Sequence, residues 1–374
     1  MTQQNFNAHL LEFLENSPTP FHATASLVKE LESSGFKNLD ESDTWDLKKG
    51  DKYYVTRNNS SLIAFIYGKD DLNIEGINML GAHTDSPCLK LKPNTIIHKK
   101  GYIQLGVEVY GGALLNPWFD RDLSLAGRVS GLNDAGELVH PLIDFKRPLA
   151  LIPSLAIHLD KEANKNRSIN AQTDIPPIFM QADESISFTD ILLKQSGLKE
   201  MLDFELMFYD TQKPSFLGFN NEFLASARLD NLLSCYVGLQ AIKESSSSKS
   251  ALLICSDHEE VGSESASGAA GPFLEMVLKR INTKHEDYAR MISSSMMISA
   301  DNAHGVHPNF ISKHDENHGP LLNHGPVIKV NANQRYASNS QTISIFKLLC
   351  KKVNVPFQSF VTRTDMGCGS TIGP

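Results

Sequence analysis

The sequence has no Cys-x-x-Cys pair: its five cysteines (Cys88, Cys235, Cys255, Cys350 and Cys368) lie far apart, and their number is odd. No disulfide framework can be drawn from that spacing, which reads as reduced, mostly buried thiols in a cytoplasmic protein. Long apolar runs are missing as well, and none nears the ~20 residues of a membrane helix. Positive charge is in short supply, with 35 Lys plus Arg against 43 Asp plus Glu, a net charge of −8. Such a surface repels phosphate backbones, and without a local basic patch it excludes nucleic acid as a partner. The first basic residue is Lys29, so the charged start of a secretory signal is absent. There is no Gly-x-Ser-x-Gly for a serine hydrolase. The only Gly-Lys dipeptide, Gly68-Lys69, has Ile63 where a phosphate-binding loop needs glycine.

What is present is a globular chain of 374 residues with 41% hydrophobic and 21% charged residues, enough for two domains or one large one. Helical spacing over residues 6–14 is stopped by Ser17-Pro18-Thr19-Pro20, and Thr19 with Pro20 opens a second helix to about residue 31. Strand-like runs follow at 61–67 and 77–82. From 92 to 210 the texture changes to short β-rich pieces broken by Gly, Asn and Pro, with no amphipathic helix before 189–201. After residue 223 strands at 251–255, 295–300 and 326–330 alternate with helices at 229–243 and 272–281. This predicts an α/β fold with a mostly parallel central sheet, formed by 1–91 and 211–374, interrupted by a β-rich insertion at 92–210.

Three of those strands end in polar clusters. Residues 77–82 run into His83-Thr84-Asp85, 251–256 into Asp257-His258-Glu259-Glu260, and 295–300 into Asp301-Asn302-Ala303-His304. Ligands of open α/β sheets bind outside the carboxyl ends of the strands, so these clusters can converge in one crevice. His, Asp and Glu are the ligand set for zinc and similar ions where thiolates are lacking. Asp230, at a helix start, is a candidate carboxylate between two metals, the plain alternative being a helix N-cap. In Glu259-Glu260 one carboxylate can bind metal while its neighbour takes a proton from metal-bound water, unless the pair is simply an acidic loop. Asp85 can accept the free N–H of the His83 imidazole and fix its tautomer. His314 and His318 have the spacing of a zincin helix, but Asp315 replaces the required Glu, and Gly319-Pro320 follows at once.

Several blocks together resemble the aspartyl aminopeptidase family: GAHTDSPCLKLKP (81–93), YGGALLNPWFDRDLSLAGRV (110–129), ARLDNLLSCYVGL (227–239), DHEEVGSESASGAAGP (257–272), SADNAHGVHPNF (299–310), GPVIKVNANQRYA (325–337) and TDMGCGSTIGP (364–374). The resemblance spans nearly the whole chain. It implies a zinc-exopeptidase-like three-layer catalytic domain with an inserted β-rich dimerisation domain, dimers assembling into homododecamers, and release of single N-terminal residues from peptides, with Asp or Glu preferred. It also implies two zinc ions: His83 and Asp301 resemble terminal ligands of one, Asp230 the bridging carboxylate, and Glu260 a ligand of the second. Glu259 matches the general base, and Asp85 the carboxylate behind the histidine. His158 matches a histidine sent into a partner subunit's site, and His307 and Lys329 sit in blocks that line the substrate pocket. Family members run on past a TIGP block for roughly fifty residues, which carry the second zinc's histidine. None of the thirteen histidines here follows His324, so the second site is expected to bind weakly and activity to be low. Two competing readings are a different co-catalytic metallohydrolase, such as a deacylase, and a weakly active or non-catalytic relative of the same fold.

Overall fold

The computed structural model describes residues 2–182 and 186–373. It opens with two helices, α1 (Gln3–Glu15) and α2 (Pro20–Ser33), each started by a threonine whose hydroxyl accepts a backbone N–H of the first turn, Thr2 from Asn5 and Thr19 from His22. Four strands follow: β1 (Lys37–Asn38), β2 (Lys52–Arg57), β3 (Ser61–Ile66) and, after the short helix α3 (Leu72–Glu75), β4 (Ile77–His83). β2 and β3 form a hairpin whose loop places Asn58 and Asn59 at φ of 55° and 52°. Asparagine tolerates that left-handed region, which the tight three-residue loop of Asn58, Asn59 and Ser60 needs.

The chain then leaves for a second, antiparallel sheet built from β5 (Cys88–Lys99), β6 (Tyr102–Tyr110), β7 (Leu123–Leu132), β8 (Leu138–Val139), β9 (Leu142–Asp144), β10 (Ile178–Gln181) and β11 (Glu200–Asp210), with helix α4 (Phe188–Ser196) against it. The helix expected over 189–201 stops at Ser196 because Gly197 turns left-handed (φ 71°), and Met201 belongs to β11. This sheet encloses its own core of Leu89, Leu105, Leu123, Leu125, Leu206 and Phe208.

On its return the chain forms the small β12 (Ser215–Leu217) and β13 (Phe223–Ala225) pair, then α5 (Leu229–Glu244), β14 (Ser250–Ser256), α6 (Phe273–Ile281), α7 (His285–Ser293) and β15 (Met296–Ser299). The main sheet has the order β1-β2-β3-β14-β4-β15. β14, β4 and β15 run parallel, as do β1 and β2, whereas β3 is antiparallel to both its neighbours. The sheet is therefore mixed, with its parallel part around β4. The last elements are β16 (Val327–Lys329), α8 (Ser340–Lys352) and β17 (Gln358–Phe360), and β16 pairs in parallel with β17 in a separate two-stranded sheet.

Alternation along the strands fixes three layers. Tyr54, Leu62, Ala64 and Ile66 face α1, α2 and α5, packing on Leu14, Leu27, Leu31, Tyr236 and Leu239. Their sequence neighbours Tyr53, Val55, Ile63 and Phe65 face the other way, onto Phe273, Val277 and Leu278 of α6 and Met291 of α7. All six residues of β3 are buried, as expected of a strand covered on both faces. Each fully buried Leu, Ile or Phe contributes about 1.5–3 kcal/mol, so the strand ends that carry the polar clusters project from a sheet buried on both faces.

Arg128 of β7 ties the second sheet to the first. It donates to the Asn58 carbonyl (2.9 Å) and to Asn58 Oδ1 (3.0 Å), lies over the Phe21 ring of α2 (4.4 Å) and pairs with Glu205.

Candidate metal centre

β4, β14 and β15 are parallel neighbours, so His83, Asp257 to Glu260, and Asp301 emerge at one end of the sheet. Asp230 joins them from the start of α5. It is not an N-cap: Arg228 holds that position without a side-chain capping bond, and Asp230 itself is non-helical (φ −83°, ψ 106°). Ser86 donates to the Asp230 carbonyl at 2.6 Å, and Asn231 Nδ2 donates to the Ala300 carbonyl at 2.8 Å, which ties the start of α5 to the end of β15. Asn231 is fully buried, and its Oδ1 has no partner among the described residues.

His83, Asp230 and Asp301 each offer one ligand atom, and these atoms lie within 4.8 Å of one another. His83 Nε2 stands 3.5 Å from Asp230 Oδ1 and 3.8 Å from Glu259 Oε2. Its other ring nitrogen, Nδ1, faces the Asp85 carbonyl at 3.1 Å and Asp85 Oδ1 at 3.2 Å. Asp85 is wholly buried, and it also accepts the backbone N–H groups of Glu259 (3.2 Å) and Glu260 (3.1 Å) and the hydroxyl of Tyr110 (2.7 Å). Glu259 and Glu260 sit in a single 3₁₀ turn entered through a left-handed His258 (φ 63°).

The electrostatics call for a cation. Burial alone would push His83 down, yet the carboxylates of Asp230, Asp85 and Glu259 hold its imidazolium up to about 11. Burial, reinforced by Asp85, Glu259 and Asp230, pushes Glu260 up to about 7. Burial also raises Glu259, with Asp301, Asp85 and Asp230 adding to it, and raises Asp301 against the pull of Lys329. Asp85 moves the other way: its hydrogen bonds from His83, Tyr110 and the Glu260 N–H outweigh burial and keep it ionised. One imidazole and two carboxylates at this spacing are a borderline-to-hard donor set that suits zinc and leaves an open position.

Without an ion His83 holds a proton up to about 11, and a cation bound by its Nε2 would displace it. Because the metal-free state binds more protons, zinc affinity rises with pH. Log affinity is expected to rise by about one unit per pH unit while His83 is protonated in the metal-free state. Zinc titrations across pH with direct measurement of proton release check this, and a flat or falling affinity would contradict it.

Lys329 lies beside the cluster, its Nζ 3.3 Å from Asp301 Oδ1 and 5.5 Å from the centre of the Tyr336 ring. It lines a cavity of about 230 Å³ with Asp301, Tyr336, Thr342 and Phe346. The structure does not bring His307 or His158 to the cluster. His307 is exposed, tilted against the Phe310 ring at 4.9 Å, with Nδ1 accepting the Asn309 N–H. His158 is exposed on a turn of the second sheet's connection, between exposed Ile157 and Leu159. His314 and His318 lie outside any α-helix. Tyr110 and Asn231 went unnoticed in the sequence, although Tyr110 opens the longest of the recognisable blocks.

The description "aminopeptidase I zinc metalloprotease (M18)" matches residues 13–374. The chain belongs to the M18 family. It is a zinc aminopeptidase, a metallo-exopeptidase. The "probable M18 family aminopeptidase 2" of Pseudomonas putida is 58% identical over an alignment of 376 positions that covers 98% of this chain and 87% of that relative. Among solved structures, a chain of the cryo-EM structure of the Ape4 and Nbr1 complex superposes with a TM-score of 0.94 at 39% identity, over 99% of this chain and 77% of that one. The S. cerevisiae mApe1 dodecamer gives 0.81 at 26% identity, over 94% and 84%. The three-layer α/β fold with an antiparallel second sheet is thus the M18 fold. No helix among the described residues of this M18 chain is long and apolar enough to cross a membrane.

Proposed function

We propose that this M18 aminopeptidase prefers acidic N-terminal residues and uses Glu259 as its general base. The observation that carries the reading is the meeting of His83, Asp230 and Asp301 within 4.8 Å, with the Glu259 carboxylate 3.8 Å from His83. His83, Asp230 and Asp301 would hold the zinc ion, which when bound supplies Lewis acidity and a lowered pKa for water. Glu259 Oε2 takes a proton from the attacking water and returns it to the leaving amine, and its burial favours that exchange by raising its proton affinity. A free α-amine held among these carboxylates confines cleavage to the first residue. Glu260 lies outside the three-donor group, so Asp230 and Glu260 would hold a second ion by oxygens alone, and more weakly. Zinc analysis alongside hydrolysis of a panel of aminoacyl peptides and N-acyl amino acids tests the reading. Free amino acids released from peptides but not from N-acyl substrates support it, and a metal-free chain or deacylase activity sinks it.

Lys329 supplies the acidic preference. Its partner Asp301 is one of the three candidate metal donors, and with that carboxylate engaged by a cation the Lys329 ammonium would be free to pair with a substrate acid. Lys329→Ala is expected to lower the rate on Glu relative to Leu substrates by about 10–100-fold, a desolvated charge contact of a few kcal/mol. Equal rates on Glu and Leu in the parent, unchanged by Lys329→Ala, would remove this assignment.

We further propose that 92–210 is a dimerisation domain inserted between 1–91 and 211–374. Exposed Leu155, Ile157 and Leu159 around His158 support it, since such a patch is usually covered by a partner, here a second copy in a dimer that builds a dodecamer. His158 would then serve the neighbouring site. The five free cysteines fit a cytoplasmic setting.

A further inference from the structure

Asp85 is the hub of the site. Among the described residues its two oxygens face four donors: His83 Nδ1 and the Glu259 N–H on Oδ1, the Glu260 N–H and the Tyr110 hydroxyl on Oδ2. Three of these belong to the loops that present the metal donors and the base. The fourth does not. Tyr110 ends β6, in the second sheet, and reaches Asp85 because the β5–β6 register sets it opposite Cys88, just past the His83 loop. Its O···O distance of 2.7 Å is the shortest of the set, as suits a hydroxyl donating to a carboxylate. The next residue strengthens the link. Gly111 is left-handed (φ 70°), and a methyl added to it would stand 2.9 Å from Glu260 Cβ. The end of β6 therefore lies against both the carboxylate behind His83 and the loop of Glu260, with no room for a larger residue.

We propose that Tyr110 is a positioning residue of the metal centre: through its hydrogen bond to Asp85 Oδ2 it fixes the carboxylate that orients the His83 imidazole and the Glu259–Glu260 turn. The inference rests on the reading of His83, Asp230 and Asp301 as metal ligands. Without the hydroxyl, Oδ2 keeps only the Glu260 N–H and the carboxylate is held less firmly, so of the two acceptors facing His83 Nδ1 only the Asp85 carbonyl stays fixed while Oδ1 does not. Outer partners of this kind change metal affinity by about 10–100-fold when removed.

The test is Tyr110→Phe in the full chain, which removes the hydroxyl and keeps the ring. Zinc affinity is measured by competition with a chromophoric chelator, and folding by circular dichroism. The expected result is a zinc affinity weakened about tenfold or more, a lower kcat with KM little changed, and an altered visible spectrum of the cobalt-loaded protein. Combined with Asp85→Asn, Tyr110→Phe should add almost nothing, because it acts through Asp85; independent effects would add. If Tyr110→Phe does not fold, 3-fluorotyrosine at position 110 keeps shape and hydroxyl while changing donor strength, and an unchanged zinc affinity there overturns the proposal. Parental affinity in Tyr110→Phe, or losses that simply add with Asp85→Asn, overturns the positioning role alone. A parent that binds no zinc overturns the metal centre with it.

Discussion

Glu259→Gln is expected to abolish peptide hydrolysis while zinc remains bound. Glu259 is half-buried, its Oε2 stands 3.8 Å from His83 Nε2, and its backbone N–H is held by Asp85 at 3.2 Å. Gln has the same shape and keeps that backbone bond, so the turn and the three-donor group persist. What disappears is the ability to accept a proton, a contribution of about 100- to 10,000-fold for a positioned base. Zinc content should match the parent, and single-turnover assays with an acidic aminoacyl peptide should show the loss. Activity within about tenfold of the parent, below the range for a lost base, would mean that another group takes the proton.

The second large effect is expected from His83→Ala. His83 is almost fully buried and supplies the one nitrogen among the three gathered donors. Without it Asp230, Asp301, Glu259 and Glu260 face one another with carboxylate oxygens alone. Removing a partner behind a ligand already costs about 10–100-fold in affinity, so losing the ligand itself should cost at least about 100-fold. The variant should leave purification without zinc, and it should be inactive until millimolar metal is supplied. Metal analysis and rescue by added zinc read this directly. A variant that retains tight zinc and ordinary turnover would place the metal elsewhere.

Much of this site was legible because its donors follow strands. The runs before His83, Asp257 and Asp301 are apolar and short, and a parallel sheet brings their ends together whatever the intervening length. Asp230 was visible only as a carboxylate at a helix start, and the non-helical turn that frees it from capping has no simple sequence signal. Tyr110 was hidden because its role depends on the register of a hairpin, which the sequence does not fix: a bulge between Leu91 and Ile96 shifts the β5–β6 pairing partway along. The β2–β3 hairpin did carry a signal, the adjacent Asn58 and Asn59 at its turn, that a reading for strand runs alone passes over. α7 and α8 escaped for another reason. α7 is short and mostly polar and buries only Met291, and α8 buries only Cys350 while Ile345, Leu348 and Leu349 stay exposed, so neither is marked as a core helix.

The grip of Arg128 on Asn58, Phe21 and Glu205 bears on how this architecture can be passed on. An insertion joined to its host by two chain crossings is, on paper, exchangeable for another sheet of similar size. Here the exchange would discard a guanidinium that closes the β2–β3 turn of the host, so an alien insertion would leave the Asn58 carbonyl without that donor and the Phe21 ring without its cation. Host and insertion are therefore expected to be inherited as a pair, diverging together at their seam even where the rest of each drifts freely.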